Sequence, residues 1–192
     1  MRGRPIAAAQ KAALELINKM SPSTRVALVT FGSKVQSFGF SSQRNVLRKR
    51  IRSLQANAMK TRLYDGLNAA LKLGGSARSG RGAVVLLSDG KDEGSQTQLL
   101  DLLGQLETRK VPVHAVGYTQ VEKRHLTSMK SFAKVSNGSF GSATQPQALG
   151  KLLHQTLSEF MPAPSSAYFV LKTTKVRGSM PNMRRPEDWF IG

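Results

Sequence analysis

Cysteine is absent from the 192 residues, which removes disulfide frameworks, thiolate zinc sites and cysteine nucleophiles together. Acidic residues are scarce, 11 Asp and Glu against 29 Lys and Arg, for a net charge of +18. No stretch approaches the roughly 20 consecutive apolar residues that a membrane-spanning helix needs. The three histidines, His114, His125 and His154, lie far apart in sequence and lack ligand spacing with one another. No Gly-x-Ser-x-Gly nucleophile elbow occurs. The glycine-rich stretch Gly75–Gly82, GSARSGRG, offers Arg-Gly where a phosphate-binding loop needs Lys followed by Ser or Thr, and it precedes a strand instead of following one. Without a catalytic constellation, the expectation is a protein that is not an enzyme.

What is present is enough apolar material, 40% of the residues, to bury a core and to exclude a wholly disordered chain. The charge is uneven. Residues 1–62 carry 13 basic residues against one acid, Glu15, whereas residues 63–161 carry 11 against 8. The excess is densest at Arg44, Arg48, Lys49, Arg50 and Arg52, interleaved with Val46, Leu47, Ile51 and Leu54 at helical spacing. Arg44, Arg48 and Arg52 are four residues apart and form a basic stripe along one side of that helix. A solvated helix face is the plain reading. A docking surface for nucleic acid, an anionic polymer or an acidic partner is the sharper one.

The chain alternates helical and strand patterns. Pro5 opens a helix with Ile6, Ala9, Ala13, Leu14, Ile17 and Met20 on one side, and Ser21-Pro22-Ser23 ends it. Val26–Phe31 is a continuous apolar run of the kind buried on both faces of a parallel sheet, and Val35–Phe40 reads as a more exposed strand. The basic helix spans about 43–54 and a further helix 63–73. Ala83–Ser88 is the clearest buried strand, and it ends in Asp89-Gly90. Ser95 and Gln98 have capping-box spacing before a helix bearing Leu99, Leu102, Leu103 and Leu106, as Thr144 and Gln147 do before Leu149. Val111–Val116 predicts a strand, Leu126–Ala133 a short helix and Gly138–Gly141 a brief last strand. The pattern predicts an α/β doubly wound, mostly parallel sheet flanked by helices, with ligands at the carboxyl ends of the strands. Thr61 and Asp89 fall in loops placed to reach that edge.

These segments resemble the von Willebrand factor type A domain. The resemblance is carried by RVALVTFGSKV (Arg25–Val35), KTRLYDGLNAAL (Lys60–Leu71), VVLLSDGKDEGS (Val84–Ser95) and HAVGY (His114–Tyr118), in this order and spacing. It implies a Rossmann-like domain over about residues 1–161 that acts as a non-catalytic protein-binding module. It also implies a metal-ion-dependent adhesion site for Mg2+ or Mn2+, at which a partner's carboxylate completes the ion's coordination. In that site Thr61 would take the threonine position and Asp89 the aspartate position, with Asp92 beyond them.

The resemblance breaks at the first strand. No Asp-x-Ser-x-Ser precedes Pro5, whereas Met1–Ile6 looks like the continuation of this motif in the family. The expectation is an amino-terminally truncated domain, from a misplaced start or a shortened gene, with a weak or inactive metal site. A nonfunctional fragment is the extreme form of that reading. The family's first strand lies in the middle of the sheet, so its loss should leave the chain unstable, make its neighbours pair directly, or make the domain borrow a strand. Residues 162–192 break the alternation and read as a tail, with Tyr168–Thr173 a strand opening a following domain.

Overall fold

The computed structural model describes residues 4–54, 60–75, 82–119, 123–145, 147–158 and 166–172. Among the described residues, six helices and six strands occur in the order α1 (Arg4–Lys19), β1 (Arg25–Phe31), β2 (Val35–Ser41), α2 (Arg44–Arg52), α3 (Leu63–Gly75), β3 (Gly82–Ser88), α4 (Leu99–Arg109), β4 (Val113–Tyr118), α5 (Thr127–Val135), β5 (Phe140–Ala143), α6 (Ala148–Ser158) and β6 (Ser166–Lys172). A 3-10 turn, Lys123–Leu126, leads into α5. The loop residues 76–81, which include most of GSARSGRG, lie outside the described residues.

The strands form one sheet in the order β2-β1-β6-β3-β4-β5. β2 is the antiparallel edge, paired with β1 through a register irregularity between Val26 and Leu28. All other neighbours are parallel. The apolar runs of β1 and β3 are buried along nearly their whole length, as a parallel sheet covered on both faces demands. One core lies between the sheet and α1, α2 and α6, with Ala13, Ile17, Leu47, Ile51, Leu87, Leu149 and Leu153 at its centre. The other, beneath α3, α4 and α5, is built on Phe31, Leu63, Leu67, Leu71, Leu86, Leu106, Met129 and Phe132. The doubly wound α/β class is therefore the one the alternation predicts.

The centre of the sheet departs from expectation. The strand expected to open a following domain lies inside this one: β6 runs between β1 and β3, from Arg25↔Ser166 to Phe31↔Lys172 on one side and from Gly82↔Ser166 to Leu87↔Leu171 on the other. It is parallel to both neighbours. A boundary at residue 161 would therefore cut this sheet in two. The reason is physical. Two long apolar strands with open ladders would each carry unpaired buried N–H and C=O groups, at about 1–3 kcal/mol apiece, and a strand with apolar residues on both faces removes that cost. Ala167 to Leu171 is an unbroken apolar run of this kind.

Polar contacts fix the helices around the sheet. The Gln10 side chain of α1 donates through Nε2 to the carbonyls of Ile51 and Leu54, both at 2.9 Å. It thereby ties α1 to the end of α2, adding a second donor to the Ile51 carbonyl, which also accepts from the Leu54 N–H at 3.2 Å. Arg50 is buried in the same region, its guanidinium 4.6 Å from the centre of the Phe38 ring. The capping box expected at Ser95 and Gln98 does not form: Gln98 precedes α4 without a side-chain cap. Ser95 instead donates to Asp92 and accepts from the Asp65 N–H of α3.

Candidate functional site at the carboxyl edge of the sheet

β1, β6 and β3 deliver Phe31, Lys172 and Ser88 to one edge, where the loops before α3 and after β3 meet. The Arg62 N–H donates to the Gly32 carbonyl at 3.1 Å, holding the 60–62 segment over the end of β1. The Glu93 N–H donates to the Thr61 carbonyl at 2.7 Å, joining that segment to the loop after β3. Thr61 is buried and Asp89 half-buried.

The turn after β3 is fixed by its own atoms. Gly90 donates to Ser88 Oγ at 3.0 Å and Lys91 to Asp89 Oδ1 at 3.3 Å. Gly90 has φ +80°, and a Cβ there would sit 2.2 Å from the His125 carbonyl oxygen. Only glycine suits both the left-handed backbone and that approach.

The same loop caps α3, a helix it does not belong to. Asp92 Oδ1 accepts from the Tyr64 N–H at 3.2 Å and from Ser95 Oγ at 2.6 Å. The Asp65 N–H donates to Ser95 Oγ at 3.1 Å. In return the Asp65 carboxylate accepts from the Gln96 N–H, the Thr97 N–H and Thr97 Oγ1, the last at 2.8 Å. Burial alone would raise the Asp65 pKa, but these hydrogen bonds and the nearby Arg62 guanidinium hold it below the usual carboxylate value. Local spacing alone makes Asp65 a first-turn helix acid and Ser95 a cap of α4. The signal for their partnership is the polar cluster Ser95-Gln96-Thr97 itself.

Among the described residues, the donor set at this edge does not fit a resident divalent ion. Thr61 and Asp89 offer one hydroxyl and one carboxylate, whereas Mg2+ demands near-octahedral oxygen coordination. Asp92 is committed to Tyr64 and Ser95. Among the described residues no three His, Asp or Glu side chains gather where they could hold a metal. The strand between β1 and β3 ends in Lys172 and brings no acidic residue to this edge.

The basic stripe lies elsewhere, on α2. Arg48 donates through Nε and Nη2 to Asn18 Oδ1, at 3.0 and 2.8 Å, and through Nη1 to Asn45 Oδ1 at 3.0 Å. Arg44 donates to the Ser21 carbonyl at 2.5 Å, and its Nη1 is buried without a partner among the described residues. Burial first, and Arg48 second, lower the Arg44 pKa. Arg44 and Arg48 are half-buried, whereas Lys49 and Arg52 are exposed. Two of the three stripe arginines thus fasten α2 to α1 and to the turn after it.

The von Willebrand factor type A domain family matches residues 1–155. No curated protein sequence matches the chain. Among solved structures it is similar to a von Willebrand factor type A protein from Catenulispora acidiphila, with TM-score 0.67 and 20% identity over 79% of this chain and 37% of that one. It is also similar to proximal thread matrix protein 1 of the mussel byssus, with TM-score 0.66 and 18% identity over 80% of this chain and 42% of that one. The chain therefore spans well under half the length of these structures, and at such identities the likeness concerns the fold. The match over residues 1–155, on a sheet with this strand order and this pair of loops at its carboxyl edge, places the chain in the von Willebrand factor type A domain family.

Proposed function

We propose that this chain is a non-catalytic protein-binding module whose recognition surface is the carboxyl edge of the sheet around Thr61 and Asp89. The observation that supports this reading is the cross-bracing of the two loops there, with Glu93 N–H on the Thr61 carbonyl and the 92–97 segment capping α3. A surface already held in one shape loses little conformational entropy on binding. The metal-bridged mode of the family would use Thr61 and Asp89 to hold Mg2+ or Mn2+ and a partner carboxylate to complete the coordination. With two protein ligands that mode is weak, and the reading gives the protein surface of the edge the larger share.

A second reading draws on the +18 charge and the exposed Lys49 and Arg52, which favour nucleic acid or an anionic polymer docking on α2 with Arg44 and Arg48 behind them. One set of binding measurements separates the two. Under the first reading, a partner protein captured by the chain is lost on Asp89→Ala, is retained when the salt is raised from ~50 to ~200 mM, and is little affected by chelator. Under the second, binding falls steeply over that salt range, responds to Arg52→Ala and ignores Asp89→Ala. Retention of the protein partner by Asp89→Ala refutes the first reading.

A further inference from the structure

β2 is an edge of the sheet, and among the described strands it pairs with β1 alone. Natural edge strands are guarded against pairing with other chains by charged side chains, proline, brevity or a covering element. The guards are thin here. Residues 35–41, VQSFGFS, contain neither a charged residue nor a proline, and Gln36, Ser37 and Gly39 are exposed. The register against β1 is regular from Phe31↔Val35 to Leu28↔Phe38, and the irregularity comes only beyond that point. No packing within the fold asks for Gly39: its φ is not left-handed, and a Cβ there would meet nothing within 4 Å. A glycine inside a strand leaves room for a second backbone to approach.

The charge around this edge has one sign. Phe38 packs with the core beneath α1, α2 and α6, and Phe40 with the core on the other face of the sheet. Each ring carries a guanidinium, Arg50 at 4.6 Å from the centre of Phe38 and Arg25 at 5.2 Å from that of Phe40. Arg25 and Lys34 are exposed and lie at opposite ends of the edge, since Val26 pairs with Ser41 and Phe31 with Val35. Neither has an acidic partner among the described residues. From residue 16 to residue 64 the sequence holds ten basic residues and no acid. α3, which packs on β2, brings Asp65, but that carboxylate is taken up by Gln96 and Thr97.

We propose that the open edge of β2 binds an extended acidic segment of a partner protein, which adds to the sheet as a further strand. Main-chain hydrogen bonds to Val35–Ser41 supply the affinity, and the cations at the two ends of the edge select the sequence. A fitting segment carries acids at both ends, to meet Lys34 and Arg25, and β-branched residues between them, against Phe38 and Phe40. The surface does not involve Thr61 or Asp89, so its failure and that of the carboxyl edge are read separately.

The test uses the full chain and a fluorescent synthetic peptide matched in length to β2, Glu-Glu-Val-Thr-Val-Glu-Glu. The peptide should bind and should slow hydrogen exchange at amides between Val35 and Gly39. Replacing its central Val-Thr by Pro-Pro should weaken uptake at least ~10-fold, because successive N–H groups point to opposite sides of a strand and one of the two must face the ladder. Lysine in place of every glutamate should abolish uptake. Ser37→Glu and Lys34→Glu, exposed changes whose melting curves check the fold, should each weaken binding several-fold, whereas Arg52→Ala and Asp89→Ala should leave it unchanged. Absence of uptake, protection confined to α2, or equal uptake of the Pro-Pro peptide overturns the proposal. Loss of binding on Asp89→Ala overturns it as well, by placing the peptide at the carboxyl edge.

Discussion

Replacing Asp92 with alanine tests whether the two loops at the carboxyl edge form one mechanical unit. Asp92 is half-buried and takes three hydrogen bonds, from the Tyr64 N–H at 3.2 Å, from Ser95 Oγ at 2.6 Å and from the Ser95 N–H at 3.4 Å. The first of these is a helix cap supplied from outside the helix, and loss of such a cap costs about 0.5–2 kcal/mol. Removing a carboxylate from the amino-terminal end of α3 adds about 0.3–1 kcal/mol. The expected destabilisation is therefore about 2 kcal/mol, or a fall in Tm of roughly 4–8 °C for a domain of this size. The decisive reading is local. Native-state hydrogen exchange should quicken at Tyr64 and Ser95, which lose their acceptor, and also at Glu93 and Arg62. The Glu93 N–H is held by the Thr61 carbonyl and the Arg62 N–H by Gly32, so neither touches Asp92. Glu93→Ala is the matched control. It removes an exposed contact to Lys91, and such surface pairs contribute little. If Asp92→Ala quickens exchange at Tyr64 and Ser95 but leaves Glu93 and Arg62 protected, the loops are independent and the edge is not a single preformed surface.

Gly66→Ala should destabilise the fold by about 1–3 kcal/mol in a denaturant melt, although alanine is the better helix former. The new Cβ would lie 2.8–2.9 Å from Cβ and Cγ of buried Phe31, atoms near the root of a side chain with little room to move. Asp65→Asn should flatten the acid limb of the stability curve. The Asp65 carboxyl is depressed in the folded state, so its contribution is present above the ordinary carboxylate pKa of about 3.9 and is lost as pH falls through the folded value. The wild type should therefore lose more stability than Asp65→Asn between about pH 5 and pH 2, and parallel curves would show that the Gln96 and Thr97 bonds add nothing to the ionised form.

The layers of this fold are legible in the sequence, and the closure of its sheet is not. Periodicity locates α1, β1, β3 and α4 because each buries an apolar face whose spacing is set locally. The exposed character of β2 is equally local, since Gln36, Ser37 and Ser41 interrupt its apolar residues. β6 is recognisable as a strand, but its place in the sheet is not. An apolar run states that a strand wants two covered faces, but not which ladder it will join. Pro162 and Pro164 before it also carry the marks of a boundary. The Ser95 cap fails for a similar reason. A serine three residues before a glutamine fits a cap of the following helix, yet its hydroxyl is taken by Asp92 beside it and by α3 thirty residues earlier. The arginine stripe has the spacing the sequence predicts, but Arg44 and Arg48 find acceptors on the turn after α1 and on Asn18 and Asn45, which helical spacing alone does not reveal.

Filling the centre of the sheet from the far end of the sequence has consequences for both stability and recognition. Loop-closure entropy rises only logarithmically with separation, so pairing residues from opposite ends of the chain is thermodynamically tolerable. It is slow, because non-local parallel pairing must wait for the chain ends to meet, and until then β1 and β3 stand open. The identity of the central strand also bears on the edge above it. A first strand ending in Asp-x-Ser-x-Ser would bring anionic and hydroxyl ligands beside Thr61 and Asp89, whereas β6 ends in Lys172. β6 thus supplies the ladder partners that β1 and β3 need, while the residue at its end is not a carboxylate. The two demands differ in kind: a central strand needs only an apolar extended chain, while a divalent ion needs particular oxygen ligands.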